Sequence, residues 1–359
     1  MRADAQGGAS PRLHEPSRPP TWGLRRRHIW WNGAPTRDSW RRLAFAALAR
    51  LRFDSVLLAL HRRRAGFIIL NIHNVSPKPN AFWPGLAPHD FDAVVTYLNQ
   101  HFSIRTLGEL DQQDADPRPR MVLSFDDGYL DFVEHAMPLL ARHGIRVNQN
   151  VIGSAVVTGS PPWNIQMYDM LVNAPLPLLQ QLRLPGFSFK LTRDSALGRA
   201  RFGATLSAHF KSRSRAAREP LVAEFVYQLR EVEVRHPTRM MRAAHVAAAC
   251  AAGHEIGCHS YSHESMAYES TAFFEEDFLR SSDLFRQLEI PLTIYAFPNG
   301  SHRREQVSFL KAAGVRHVLV VDDRLVRGSE RAVLPRVTLW GQSAAEIRLR
   351  AVGLRAKWS

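Results

Sequence analysis

Cysteine is nearly missing from this chain: Cys250 and Cys258 are the only two among 359 residues. A pair of thiols cannot build a disulfide framework, and both are expected to be reduced thiols, Cys258 a buried one within a strand. Long apolar runs are missing too. No uncharged stretch approaches the ~20 residues that a membrane-spanning helix requires. Residues 1–38 contain no apolar h-region, so "LRRRHIWW" does not read as an export signal. The expected location is therefore cytoplasmic, soluble or peripheral to the inner membrane face. Lysine is absent from residues 1–64, which carry 14 arginines against 4 acids, a net of +10 out of +14 for the whole chain. The excess belongs to an N-terminal arm and not to the body. No nucleic-acid recognition motif accompanies it, so specific nucleic-acid binding is not expected. No internal repeat is visible.

What is present divides the chain. Residues 1–37 are rich in Pro, Gly and Arg and are expected to be largely disordered. Residues 39–64 look helical, yet a 3.6-residue wheel spreads Leu, Phe and Arg around most of the circumference and no clean amphipathic face emerges. This extension, residues 1–65, suits peripheral contact with an anionic membrane on charge grounds. From residue 66 strands and helices alternate. Strands are expected at 66–74, 121–125, 145–153, 254–258, 291–298, 315–321 and 332–339. Helices are expected at 88–102 (capped by Asp90), 129–143, 240–252, 270–288 and 302–313. Such βα units predict an α/β fold with a parallel sheet, closed or open, and helices outside. Residues 156–240 break the rhythm as an insertion with helices near 164–173, 194–211 and 215–231. The βα body runs over 66–340, and 341–359 reads as a C-terminal tail.

Chemistry in such sheets gathers at the carboxyl ends of strands. Three polar clusters fall there: Asp126-Asp127-Gly128, "CHSYSH" after strand 254–258, and "FPNGSH" after strand 291–297. Two adjacent anions repel at a strand end unless something positive offsets them. His259 and His263 are spaced i, i+4, so one helical turn would bring both imidazoles to one cation. Either pattern alone is weak, since Asp-Gly turns are routine and sixteen histidines are present. Together they suggest two His and one Asp around a divalent metal, with the second carboxylate free to accept a proton from water.

At these residues the chain resembles the NodB-homology polysaccharide deacetylases, carbohydrate esterase family 4. "LSFDDG" is similar to the first motif of that family, "HEIGCHSYSH" to the second and "YAFPNG" to a variant of the third. The resemblance spans about 66–340 apart from the insertion. It implies a distorted (β/α)7 barrel and metal-dependent removal of acetyl from an N-acetylated sugar. The expected substrate is an N-acetylhexosamine-containing glycan or glycan precursor, or a glycolipid if the protein stays inside the cell. Carried over by position, Asp126 is the general base that activates a metal-bound water. Asp127, His259 and His263 bind the metal, most often zinc.

The third motif departs from the pattern. Ala296 stands where an arginine normally braces the base, and Asn299 where an aromatic is usual. Arg336 in "LPRVTL" is the candidate replacement brace, with a structural arginine as an equal alternative. The C-terminal motif that usually supplies a catalytic histidine is not visible. Some branches of the family bring that histidine from an N-terminal strand, and "LNIHNVSP" looks like it, which makes His73 the candidate general acid. Asn299, His302 and Trp163, which opens the insertion, are candidates for substrate contact. For Trp163 and His302, ordinary packing or loop roles are the simpler alternatives. Two rival functions stay open: a deacylase or amidohydrolase on a small non-polymeric C–N substrate, and a catalytically silent glycan-binding barrel.

Overall fold

A computed structural model describes residues 35–357, apart from 64–65, 79, 81–84, 111, 113–115, 192–195, 328–332 and 342. Of the stretch read as disordered, residues 1–34 lie outside the described residues. The strands are β1 Gly66–Ile72, β2 Ser103–Arg105, β3 Arg120–Phe125, β4 Asn148–Val151, β5 Glu255–Cys258, β6 Ile294–Ala296, β7 His317–Val321, β8 Val326–Arg327 and β9 Leu334–Thr338. Seven of them, in the order β1-β3-β4-β5-β6-β7-β9, pair in parallel, and β9 returns to β1 to close a barrel. β2 extends β3 in parallel, and β8 lies antiparallel to β1.

Closure follows from the side-chain alternation. Odd positions of β3, Met121, Leu123 and Phe125, face an outer core with Ile68, Leu70, Tyr295 and Val318. Their alternates, Val122 with Ile69, Ile294, Ala296, Leu319 and Leu334, form a separate cluster inside the ring. A strand with apolar residues on both faces is stable only when both are covered, so these segments read as continuous apolar runs. Higher in the barrel the inward positions turn polar: Asn71, Ser124, Asn148, Asn150 and Arg336 are all buried. The opposite end is plugged by the 3-10 turn Leu107–Glu109, whose Leu107 and Gly108 N–H groups donate to Glu255 at 2.7 Å each.

Helices cover the outside, including Pro88–His101, Ala243–Ala251, Thr271–Gln287 and Arg304–Ala312. The first of these has Ala87 at its N-cap with Pro88 following, and Asp90 sits within its first turn, so the expected Asp90 cap is corrected. The expected helix 129–143 is shorter, a wide π-type turn at Phe132–Ala136 leading into Met137–Arg142. The expected helix 39–64 is two helices, Pro35–Arg50 and Phe53–Arg63, separated where Arg52 takes a left-handed φ of 55°. Between β4 and β5, the helices Trp163–Asn173, Leu176–Gln181, Ala196–Lys211 and Arg215–Gln228 bury a core of their own around Phe202, Phe210 and Phe225. Residues 341–357, read above as a tail, include the helix Ala344–Ala351, whose Ile347 and Ala351 join the main core.

Candidate active site

Asp126 follows β3 directly, and its backbone N–H donates to the carbonyl of Ile72, the last residue of β1, at 2.9 Å, which continues the ladder one residue past β3. The side chain is buried inside the barrel mouth. Arg336 on β9, with 0 % of its surface exposed, meets it as a fork: Nη1 donates to Oδ1 and Nη2 to Oδ2, both at 2.7 Å. Asn150 on β4 donates to the same Oδ1 at 2.8 Å, and Arg336 Nη1 also reaches Ser124 Oγ at 3.0 Å. Burial by itself pushes the Asp126 carboxyl up, but the charge and hydrogen bonds of Arg336, aided by the imidazoles, overcome it and hold it well below the carboxylate range.

Asp127 turns the other way. It adopts φ 73° and Gly128 φ 74°, two successive left-handed residues; Asp tolerates that region better than most side chains and Gly adopts it freely. A Cβ on Gly128 would lie 3.2 Å from Val151 Cγ1, so the turn is close to β4 as well as tight. The reversal aims the Asp127 carboxylate at two imidazoles: Oδ1 lies 3.4 Å from His259 Nε2 and 3.2 Å from His263 Nε2.

The two histidines do not sit on a helix, which corrects the expected geometry. Residues 259–263 form a loop after β5 in which Ser260 and His263 both have φ of 60°. The loop is held from outside. Asp277, on helix Thr271–Gln287, accepts from the N–H of Tyr261 at 2.8 Å and of Ser262 at 2.9 Å, while His263 N–H donates to Ser260 Oγ at 2.7 Å.

Each ring is oriented through its far nitrogen. His259 Nδ1 is 2.8 Å from the carbonyl oxygen of Ala296, and His263 Nδ1 is 3.2 Å from Asn164 Oδ1. An oxygen acceptor at Nδ1 places the proton there and leaves the Nε2 lone pair directed at Asp127. Burial pushes the His259 pKa down to about 4, which favours the neutral, ligating form. Asp127, His259 and His263 thus offer three ligand atoms within 4.8 Å of one another, all buried, and their donor chemistry fits a divalent metal such as zinc.

The remaining expected residues divide. His73 follows β1, half-buried; burial lowers its pKa, while the charges of Asp127 and Asp126 raise it and those of Arg336 and Lys211 lower it, so it shares the electrostatics of the same mouth. Asn299 is exposed, with φ 57°, and donates to Ser265 Oγ at 3.2 Å, outside this cluster. His302 stacks on Phe297 with ring centroids 5.1 Å apart. Trp163 packs into the insertion core against Phe210, with the Arg218 guanidinium 4.4 Å over its ring. Arg218 itself forms a buried two-pronged pair with Glu264, the residue after His263.

Sequence reasoning missed Asn150, Asn164, Asp277 and Lys211. The signal for Asn150 was there, since "NQNV" puts amides at inward positions of a buried strand, and buried amides need partners. Asn164 and Lys211 belong to the insertion, and nothing local marks them. Lys211 closes helix Ala196–Lys211, and burial pushes its amine down to about 8, opposed by the Asp127 charge. Gly257, within "HEIGCHSYSH", answers to a close approach that only the tertiary structure shows. A Cβ there would stand 2.1 Å from Asn150 Oδ1, the amide that also holds Asp126.

Comparison with known proteins agrees with the fold and identifies its family. A family model described as polysaccharide deacetylase matches residues 113–318, more than half of the chain. Among solved structures, PplD, a deacetylase of Streptococcus pyogenes solved with acetate, superposes with a TM-score of 0.53 at 13% identity, covering 80% of this chain and 99% of that one. IcaB from Ammonifex degensii gives 0.50 at 17% identity, covering 80% and 97%. BC0361, a polysaccharide deacetylase from Bacillus cereus, gives 0.51 at 10% identity, covering 80% and 69%. No curated protein sequence matches the chain.

Proposed function

From the premise that the chain belongs to the polysaccharide deacetylase family, hydrolases of the amide C–N bond of N-acetyl groups on glycans, we propose a metal-dependent de-N-acetylase with Asp126 as its base. The observation that carries this reading is the position of Asp127 Oδ1 between two imidazole Nε2 atoms whose Nδ1 positions are already engaged. Asp127, His259 and His263 would hold the metal, most readily zinc. When bound, a divalent metal supplies Lewis acidity that lowers the pKa of a water from 15.7 to roughly 7 and polarises the acetyl carbonyl.

The chain's own groups do the rest. Asp126 stays outside the ligand set, and its Oδ2, 3.9 Å from His259 Nε2, accepts the proton of the attacking water. Arg336 and Asn150 fix the carboxylate plane and keep it ionised. His73 gives a proton to the leaving amine as the C–N bond breaks, so acetate and a free amino sugar are the products. The lowered pKa of His73 makes it a ready donor once protonated. A lipid-linked glycan precursor at the inner membrane face is the finer substrate reading, supported by the arginine-rich residues 1–64. Recovery of native protein mainly from the periplasm would overturn that placement.

The test pairs metal content with acetate release from N-acetylglucosamine oligomers and a cell glycolipid extract. Wild type and Asp126→Asn should bind one metal per chain, with acetate released by wild type only. His259→Ala should lose the metal. His73→Asn should keep it and lose about 100-fold or more in kcat. Metal without acetate release from either substrate would favour a small C–N substrate instead. A wild type that takes up no metal under any loading would refute the mechanism.

A further inference from the structure

The break at Leu51-Arg52 gives residues 42–63 a face that no single-helix wheel reveals. Among residues 42–50, the part of helix Pro35–Arg50 whose side chains are described, the buried residue is Phe45, and on the opposite side lie Leu43, Ala47, Arg50 and, just past the helix end, Leu51. In helix Phe53–Arg63 the inner side carries Asp54, Leu57, Leu58 and His61, and opposite them lie Val56, Ala59, Leu60 and Arg63. Each helix thus has its own core face and an outer stripe of two large aliphatics, one alanine and one arginine. The outer residues are well exposed: Leu43 by 60%, Leu51 by 78%, Val56 by 50% and Leu60 by 38%. They are four of the eleven large apolar side chains exposed among the described residues, within an 18-residue stretch. Charge on this surface has one sign. Arg42, Arg50, Arg52, Arg62 and Arg63 are exposed, and the sole acid of the stretch, Asp54, is buried.

The platform is fixed and does not hang from a tether. Asp54 accepts a 2.7 Å hydrogen bond from Tyr97 Oη, and His61 Nε2 lies 3.2 Å from the Val352 carbonyl. Both helices pack on helix Ala344–Ala351. A rigid face of exposed aliphatics framed by cations, with no exposed acid among residues 42–63, is complementary to a lipid surface: the aliphatics enter the acyl boundary while guanidinium groups remain with headgroups. Arginines on an aliphatic face disfavour a second copy of the same face, which would meet like charge. We propose that residues 42–63 form an in-plane docking surface for an anionic membrane, distinct from any contact made by the arm before it. It deepens the peripheral-membrane reading and is independent of the catalytic assignments.

The test uses the full chain with sucrose-loaded vesicles of phosphatidylcholine alone or mixed with phosphatidylglycerol. Wild type should sediment with the mixed vesicles and much less with the neutral ones. Leu43→Ser with Leu51→Ser should reduce the partition coefficient roughly tenfold or more, since two largely exposed leucines leave the lipid. Arg50→Gln with Arg63→Gln should remove most of the preference for phosphatidylglycerol, and added salt should do the same. Both pairs are exposed, so thermal unfolding and acetate release from a soluble oligomer should match wild type. Vesicle binding unchanged by the leucine pair would assign the contact to residues 1–34 and overturn the proposal. So would a dimer in solution that the leucine pair dissolves, or no vesicle binding at all.

Discussion

Replacing Arg336 by methionine keeps an unbranched apolar stem while removing the guanidinium fork that holds Asp126. In the wild type the carboxylate is buried, with two 2.7 Å bonds from Arg336 and one of 2.8 Å from Asn150. After Arg336→Met, only the Asn150 amide still faces a buried anion, so the variant carries an uncompensated charge. Breaking a buried pair in this way costs about 3–5 kcal/mol, far more than the net worth of the pair. Asp126→Asn strands the guanidinium instead and is destabilising for the same reason. The double variant leaves no buried charge and should recover much of the loss, giving a coupling of about 2 kcal/mol or more. Urea unfolding of chelator-treated protein, followed by tryptophan fluorescence, reads all three. The pair also predicts a pH signature. Asp126 is held below its ordinary 3.8, so its contribution to stability is complete above about pH 4 and is lost as acid brings the pH down towards the folded value. In Arg336→Met the carboxyl rises above 3.8 through burial, so acidification should relieve the variant. Additive single variants, with coupling within about 0.5 kcal/mol, or an acid limb unchanged in Arg336→Met, would refute this account of the barrel mouth.

Three further outcomes follow from the same geometry. Asn164→Ala removes the acceptor on His263 Nδ1 and should weaken zinc binding about 10- to 100-fold in chelator competition, whereas unchanged affinity would deny Asn164 an orienting role. Gly257→Ala drives a methyl into the Asn150 amide and should cost about 1–3 kcal/mol and lower kcat with little change in metal content; wild-type kcat would show that Asn150 gives way freely. Metal removal should lower the unfolding temperature in wild type and Asp126→Asn but leave His259→Ala unchanged, a pattern that calorimetry at fixed zinc concentration reads directly.

The alternation of apolar strands and helices was enough to read a parallel βα body, because a strand covered on both faces is mostly apolar. Residues 121–125 and 66–72 show this, with Ser124 and Asn71 as the polar exceptions near the barrel mouth. The chemistry of the Asp126-Asp127 and His259/His263 clusters was also legible, because residue type limits what a side chain can ligate or accept. Their backbone was not. Spacing of i, i+4 suggests a helical turn, but Asp277 sixteen residues from Tyr261 holds the loop open through its two amides, and no local pattern records that. The helix break at Arg52 was equally hidden, since intrinsic propensity favoured continuity through "ALARLRFDSVLL" and only the packing of both helices on helix Ala344–Ala351 sets the two phases.

What sequence alone determined was therefore composition-limited: an α/β body, a basic N-terminal region, and a set of carboxylates and imidazoles suited to a divalent metal. The tertiary structure decided which groups meet. His73 and Arg336 lie outside residues 113–318, at opposite ends of the body, and reach the same mouth because β9 pairs with β1 and β1 with β3. Asn164 reaches His263 across 99 residues because the insertion folds back over the loop after β5. Barrel closure brings strand ends together regardless of their separation along the chain, and periodicity, which is a local property, does not encode that.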